Sequence, residues 1–84
     1  MTKRISKVGS VRKEFRHDRL RMALEMKKIS QYQIADEIGV DRSTISKLVN
    51  GHTKPYTATL RAISLYLEVS SDWLLGISNE WKIQ

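Results

Sequence analysis

The 84-residue chain contains no cysteine. Disulfides and thiolate metal sites are therefore excluded, and a reducing cytosol is the natural setting. Proline is almost absent: the single one, Pro55, cannot sit inside a helix and marks a boundary between elements. No apolar run approaches the roughly 18 residues that a membrane span requires. The basic opening is not followed by an apolar stretch, so it does not read as a secretory signal. Glycine-rich phosphate loops and a nucleophile elbow are both missing. The only histidines, His17 and His52, stand in no metal-ligand spacing. Asp36 and Glu37 are adjacent, so they diverge on a helix and cannot work as a carboxylate pair. The expectation is a protein that is not an enzyme and that carries neither metal nor cofactor.

Acidic residues are also scarce in one region. Residues 1–28 hold ten basic against three acidic side chains, a balance of +7, while the remainder holds five against six, a balance of −1. The formal charge of +6 is thus a property of the N-terminal third. A polyanion is the first partner such a distribution suggests, and a solubilising face is the bland alternative. Within residues 1–10 the charge is all positive (Lys3, Arg4, Lys7), helical periodicity is lacking, and Gly9 and Ser10 interrupt the run. This reads as a flexible basic arm.

What the chain does contain is helical patterning, and one stretch, 30–51, organises it. Ser30 is followed three residues later by Gln33, the spacing of a capping box. Ile34, Ala35 and Ile38 then share a face, Gly39 ends the helix, and Val40 follows as a buried plug. Asp41 is placed to cap a second helix from about Arg42 to Val49, with Ile45, Leu48 and Val49 inward and Asn50-Gly51 as its stop. Two helices this short need neighbours. A first helix is expected from about 11–15 to Lys28, with Phe15, Leu20, Ala23 and Leu24 inward, and with Arg12, Arg16 and Arg19 outward, either extending the basic surface or simply solvated. A fourth opens near Thr57 and buries Leu60, Ile63, Ser64 and Leu67, with Val69 closing it. A short fifth, capped by Ser70 or Ser71, carries Trp73, Leu74 and Leu75.

At these residues the chain resembles a family. Gln31, Ile34-Ala35, Ile38-Gly39-Val40, Ile45-Ser46, Leu48 and Asn50-Gly51 are similar to the helix-turn-helix of the phage repressor and Cro-type (XRE-like) transcriptional regulators. The later run Leu60, Ile63, Leu67, Val69 and Ser71-Asp72-Trp73-Leu74-Leu75-Gly76 is similar to the family's fourth and fifth helices. The resemblance implies an all-α, five-helix, lambda-repressor-like DNA-binding domain over residues 11–77, in which helices 2 and 3 form the helix-turn-helix. A basic arm (1–10) precedes it and a tail (78–84), a candidate dimer contact, follows. One departure stands out. Many relatives carry an Arg and a Glu, a buried ion pair, where this chain has Leu24 and Val49. Both positions being apolar together fits a real contact between them, because half a pair would strand a charge.

The resemblance also assigns roles. A recognition helix presents its N-terminal turn to base edges in the major groove, which here means Arg42, Ser43 and Thr44, then Ser46 and Lys47. Arg42 is the best base reader, since its guanidinium fork matches guanine O6 and N7, and a cation at a helix N-terminus has no local reason to be there. Gln31 corresponds to a phosphate-binding Gln of the family, and Tyr32 lies beside it. Asn50, His52, Thr53 and Lys54 form the loop expected on the sugar-phosphate backbone, although Asn50 also has a plain role in ending a helix. The arm residues Lys3, Arg4 and Lys7 are suited to phosphates or a minor groove. Trp73, Ile77, Trp81 and Ile83 are the dimer candidates, with folding back onto the chain's own core as the alternative. The function implied is sequence-specific double-stranded DNA binding by a cytoplasmic, nucleoid-associated homodimer in a bacterial host. The implied protein is a phage, prophage or mobile-element repressor that occludes a promoter. The rival is an antitoxin or protein-interaction module, with a toxin or anti-repressor held by the apolar C-terminal patch.

Overall fold

The computed structural model describes residues 15–83. The basic arm with Lys3, Arg4 and Lys7, and the expected start of the first helix at residues 11–14, lie outside the described residues. Five helices follow in order: α1 (His17–Lys27), α2 (Gln31–Ile38), α3 (Arg42–Val49), α4 (Thr57–Leu67) and α5 (Ser71–Leu74). Among the described residues the all-helical, five-helix expectation holds.

Among the described residues α1 begins at His17. Phe15 and Arg16 precede it, and Phe15 is buried in the core from outside the helix. With Arg16 at the cap, Phe15 and Leu20 occupy the two positions of a hydrophobic staple, which fixes the angle at which the chain enters. The Arg16 backbone N–H donates to the Leu74 carbonyl at 2.8 Å, tying that entry to α5.

One core runs through all five helices. Leu20, Ala23 and Leu24 of α1 meet Ile34 and Ala35 of α2, Ile45, Leu48 and Val49 of α3, Leu60, Ile63 and Leu67 of α4, and Trp73 and Leu74 of α5. Leu24 and Val49 are both buried in this cluster and line the same depression, in keeping with the apolar pairing expected of them.

Three helices end by a shared device. The residue after the last turn adopts a left-handed conformation, and an apolar residue then tucks inward: Lys28 then Ile29, Gly39 then Val40, Glu68 then Val69. The Ile29 N–H reaches the Leu24 carbonyl, the Val40 N–H that of Ala35, and the Val69 N–H that of Ser64, which satisfies carbonyls the helix itself leaves open. Only the second of these uses glycine, so the first and third were one residue harder to place from sequence.

The C-terminal segment folds back on α1. Arg19, expected on an outer face that either extends the basic surface or is simply solvated, instead donates to the carbonyls of Trp73 (2.7 Å) and Ser78 (2.8 Å) and to Asn79 Oδ1 (3.1 Å), with its guanidinium over the Trp73 ring. The Trp81 carbonyl accepts from the Ser70 N–H at 2.7 Å, and Lys27 Nζ lies over the Trp81 ring. Arg16 pairs with Asp18 at 2.8 Å.

Two stability predictions follow from this packing. Gly39 and Gly51 both have φ near +77° to +78°, but a Cβ at Gly51 would sit 2.9 Å from the His17 ring, whereas at Gly39 it meets nothing within 4 Å. Gly39→Ala should cost about 1 kcal/mol from backbone strain alone, and Gly51→Ala about 1 kcal/mol more. Adding His17→Ala should remove the excess at Gly51, as read by urea denaturation. The hydrogen bonds from the Arg16 guanidinium to Asp18 hold its carboxyl below the usual carboxylate range. A depressed folded-state pKa adds stability above the unfolded value, lost as pH falls through the folded one. Both side chains are about half exposed. Asp18→Asn should therefore cost no more than about 0.5 kcal/mol at pH 7, a gap that closes below roughly pH 4.

Candidate nucleic-acid interface

The interface is built on α3. Its inner residues Ile45, Leu48 and Val49 are buried, which leaves the opposite face outside. Arg42, Ser43 and Lys47 are exposed, and Thr44 and Ser46 half-buried. Among the described residues, none buries Arg42, Ser43 or Lys47.

Asp41 occupies the cap position, but its side chain makes no cap bond. The Thr44 N–H instead reaches the Asp41 backbone carbonyl at 3.0 Å, tightening the first turn so that the carboxylate is not needed. The capping box at α2 is likewise half formed. Ser30 Oγ accepts from the Gln33 N–H at 3.0 Å, but the Gln33 amide turns away and donates to the Tyr66 hydroxyl at 3.2 Å, joining α2 to α4. At α5 the cap is Ser70, whose Oγ accepts from the Trp73 N–H.

The far end of α3 is held by α1. Arg21 donates to the Val49 carbonyl (3.2 Å) and to Asn50 Oδ1 (3.3 Å), and His17 Nδ1 lies 3.3 Å from the same carbonyl. Asn50 Nδ2 donates to the Ser46 carbonyl at 2.9 Å. The Asn50 side chain is thus engaged at both ends in finishing α3, the plain role expected of it.

Around α3 the structure gathers most of the other expected residues. A cleft of ≈ 190 Å³ beside the polar face of α3 is lined by Thr44, Lys47, Thr53 and Lys54, together with Tyr56 and Thr59. His52 is exposed in the same loop, 52–56. On the other side a shallow depression of ≈ 480 Å³ brings Gln31 together with Arg21 and Lys28 over an apolar floor of Leu24, Ile29 and Val49, with Glu25 at its edge. At the N-terminal end of α3, the Arg42 guanidinium sits over the Tyr32 ring, 4.4 Å from its centroid. Asp36 and Glu37 are exposed in the last turn of α2, at the opposite end of that helix from Gln31 and Tyr32.

Four side chains were missed by sequence reasoning. Arg21 and Lys28 join the α3 neighbourhood through the packing of α1, and nothing in their local pattern marked them apart from Arg16 and Arg19. Tyr56 (85 % exposed) and Thr59 line the cleft from the start of α4; an aromatic directly after Pro55, outside the apolar stripe of α4, was the available signal. Trp73 was expected on a dimer surface, but it is only 6 % exposed. Its indole belongs to the chain's own core cluster, with the Arg19 guanidinium over its ring. Ile77 and Ile83 are exposed, and Trp81 lies at the margin of exposure with Lys27 and Lys82 beside its ring.

Two short helices set across a glycine turn, the second anchored by an apolar face and open along a polar, basic one, define a DNA-binding domain of helix-turn-helix type. The sequence profile of the helix-turn-helix family matches residues 20–74, and the chain belongs to the XRE/Cro-type helix-turn-helix family of DNA-binding transcriptional regulators. No curated protein and no solved structure matches the chain. Among the described residues no helix is long and apolar enough to cross a membrane.

The clamp on α3 is directly testable. Arg21→Ala should lower stability by about 0.5–1.5 kcal/mol. It should also speed amide exchange at Asn50 and His52, whose N–H groups close the last turn of α3, more than in the first turn of α4.

Proposed function

We propose that the protein is a repressor of phage, prophage or mobile-element type, which binds an operator as a homodimer and occludes a promoter. In this reading α3 enters the major groove. Arg42, Ser43, Thr44, Ser46 and Lys47 face base edges, and Gln31, Tyr32, Asn50, His52, Thr53 and Lys54 rest on the backbone. Lys3, Arg4 and Lys7 reach phosphates or a minor groove from the arm. The observation that carries it is the exposure of Arg42, Ser43 and Lys47 on a helix whose opposite side is buried. The helix dipole offers no reason for a cation at the first position of α3. An incoming guanine edge does, since an arginine fork pairs with it bidentately. Arg21 and Lys28, beside Gln31, add cations where a phosphate would pass.

For the dimer, Ile77 and Ile83, with Trp81 between them, offer apolar surface on the segment 77–83. A two-fold axis there would set two recognition helices on half-sites one helical turn apart, about 34–36 Å. The work would be done in the cytoplasm of a bacterial host, on its nucleoid. The division into arm (1–10), binding domain (11–77) and tail (78–84) belongs to this reading.

The test is selection from random duplexes followed by titration across salt. The expected result is a two-fold symmetric consensus and an affinity that falls steeply with salt. Arg42→Ala should cost about 1–3 kcal/mol on the preferred site and relax preference at one base pair per half-site. Lys54→Ala should weaken all sites alike and flatten the salt slope by about one ion. A binding partner captured through Ile77 and Ile83, with affinity indifferent to salt and to Arg42, would instead favour a toxin-binding or anti-repressor-binding module.

A further inference from the structure

Arg42 and Tyr32 belong to different helices of the motif, yet the guanidinium carbon of one lies 4.4 Å from the ring centroid of the other. Among the described residues, this ring is the partner the structure gives Arg42, and the ion pair there joins Arg16 to Asp18. The ring itself is 62 % exposed, so core packing does not account for its place. Resting on the reading that Arg42 contacts a base, we propose that Tyr32 is a positioning residue for specificity. Its ring face holds the Arg42 guanidinium in the orientation that reads the base, and its hydroxyl is not what matters for that task.

With the guanidinium carbon 4.4 Å from the ring centroid, the two contacts are compatible when the guanidinium lies flat on the ring. Stacking on an aromatic uses the flat face of a guanidinium, while its five N–H donors lie in the plane and point outward from the edge. An arginine seated on Tyr32 therefore keeps both forks available for O6 and N7 of a guanine. An unsupported arginine at the first position of a helix is repelled by the dipole and carries rotamer freedom that binding would have to remove. The stack removes part of that freedom beforehand, which is how a preordered group gains discrimination without a new contact. Because Tyr32 stands in the first turn of α2 and Arg42 in the first turn of α3, the orientation is referenced to both helices of the motif.

The experiment compares the full chain with Tyr32→Phe, Tyr32→Leu and Arg42→Ala, measuring binding to the selected operator and to duplexes changed at one base pair at a time. Arg42→Ala identifies the base pair it reads. Tyr32→Leu should then lose about 2- to 5-fold of the discrimination at that same base pair, the range set by an exposed cation–π contact. Discrimination elsewhere should be unchanged. Tyr32→Phe should retain the discrimination, whatever uniform loss removal of the hydroxyl brings. In the DNA-free protein, the Arg42 side-chain protons should show an upfield ring-current shift in the wild type and in Tyr32→Phe, absent in Tyr32→Leu.

A uniform loss for Tyr32→Leu across all duplexes would overturn the proposal, leaving Tyr32 as a backbone contact. Equal loss of discrimination by Tyr32→Phe would assign the effect to the hydroxyl and overturn it too. Absence of the ring-current shift from the wild type would do the same without any mutant having to fold. If Arg42→Ala alters no base preference, the base-reading role of Arg42 falls, and this proposal with it. If Arg42→Ala does alter one and Tyr32→Leu does not, only the positioning role is lost.

Discussion

Ile45, Leu48 and Val49 are withdrawn from water on one side of an eight-residue helix, and such a helix has little other reason to hold its shape. Each of these side chains contributes about 1.5–3 kcal/mol by burial. The contribution is available only because α1 and α2 supply apolar surface to receive them. Once the inner face bears the stability, the outer face has no structural duty. It can be given over to polar residues chosen for a ligand, including a cation at the position where the helix dipole opposes one. The far end of α3 is then pinned by Arg21, His17 and the Asn50 side chain.

The cations divide by what surrounds them. Arg16 meets Asp18; Arg19 turns inward to two carbonyls, an amide and an indole; Lys27 lies over Trp81. These charges organise the protein itself. Arg21 shares that duty through the Val49 carbonyl and Asn50 Oδ1 while lining, with Lys28 and Gln31, the depression beside α3, and Arg42, Lys47 and Lys54 lie on α3 or in the loop after it. A net charge of +6 suggests a polyanion but does not tell these groups apart. The Arg19 contacts to Ser78 and Asn79 also hold the C-terminal segment back along α1, leaving Ile77, Trp81 and Ile83 as its apolar exposure.

Helix existence and inner faces were legible because they depend on spacing. Leu60, Ile63, Ser64 and Leu67 recur at helical intervals and are buried as that pattern requires. The end of α2 was legible because Gly39 announces a left-handed residue. The ends of α1 and α4 place Lys28 and Glu68 in the same conformation, where no glycine marks it. Side-chain partners were the least legible part. Ser30 capped as its spacing suggests, but Gln33 left the capping box because Tyr66, 33 residues away, offered its hydroxyl. Asp41 stood at its cap without bonding, because its own backbone carbonyl already served the turn.

The order of apolar and polar residues along the chain therefore determined by itself that α3 would be two-sided, that Arg42, Ser43 and Lys47 would fall on its outer side, and that five helices would share one core. That follows from the helical period, which is a local property of neighbouring residues. Only the tertiary structure decided which arginines serve the fold and which flank α3, that Trp73 is core and not surface, and that Arg42 rests on the Tyr32 ring. Those outcomes depend on which side chains the folded backbone brings within a few ångströms across the turn, and distance in space is not written in the spacing of any one segment.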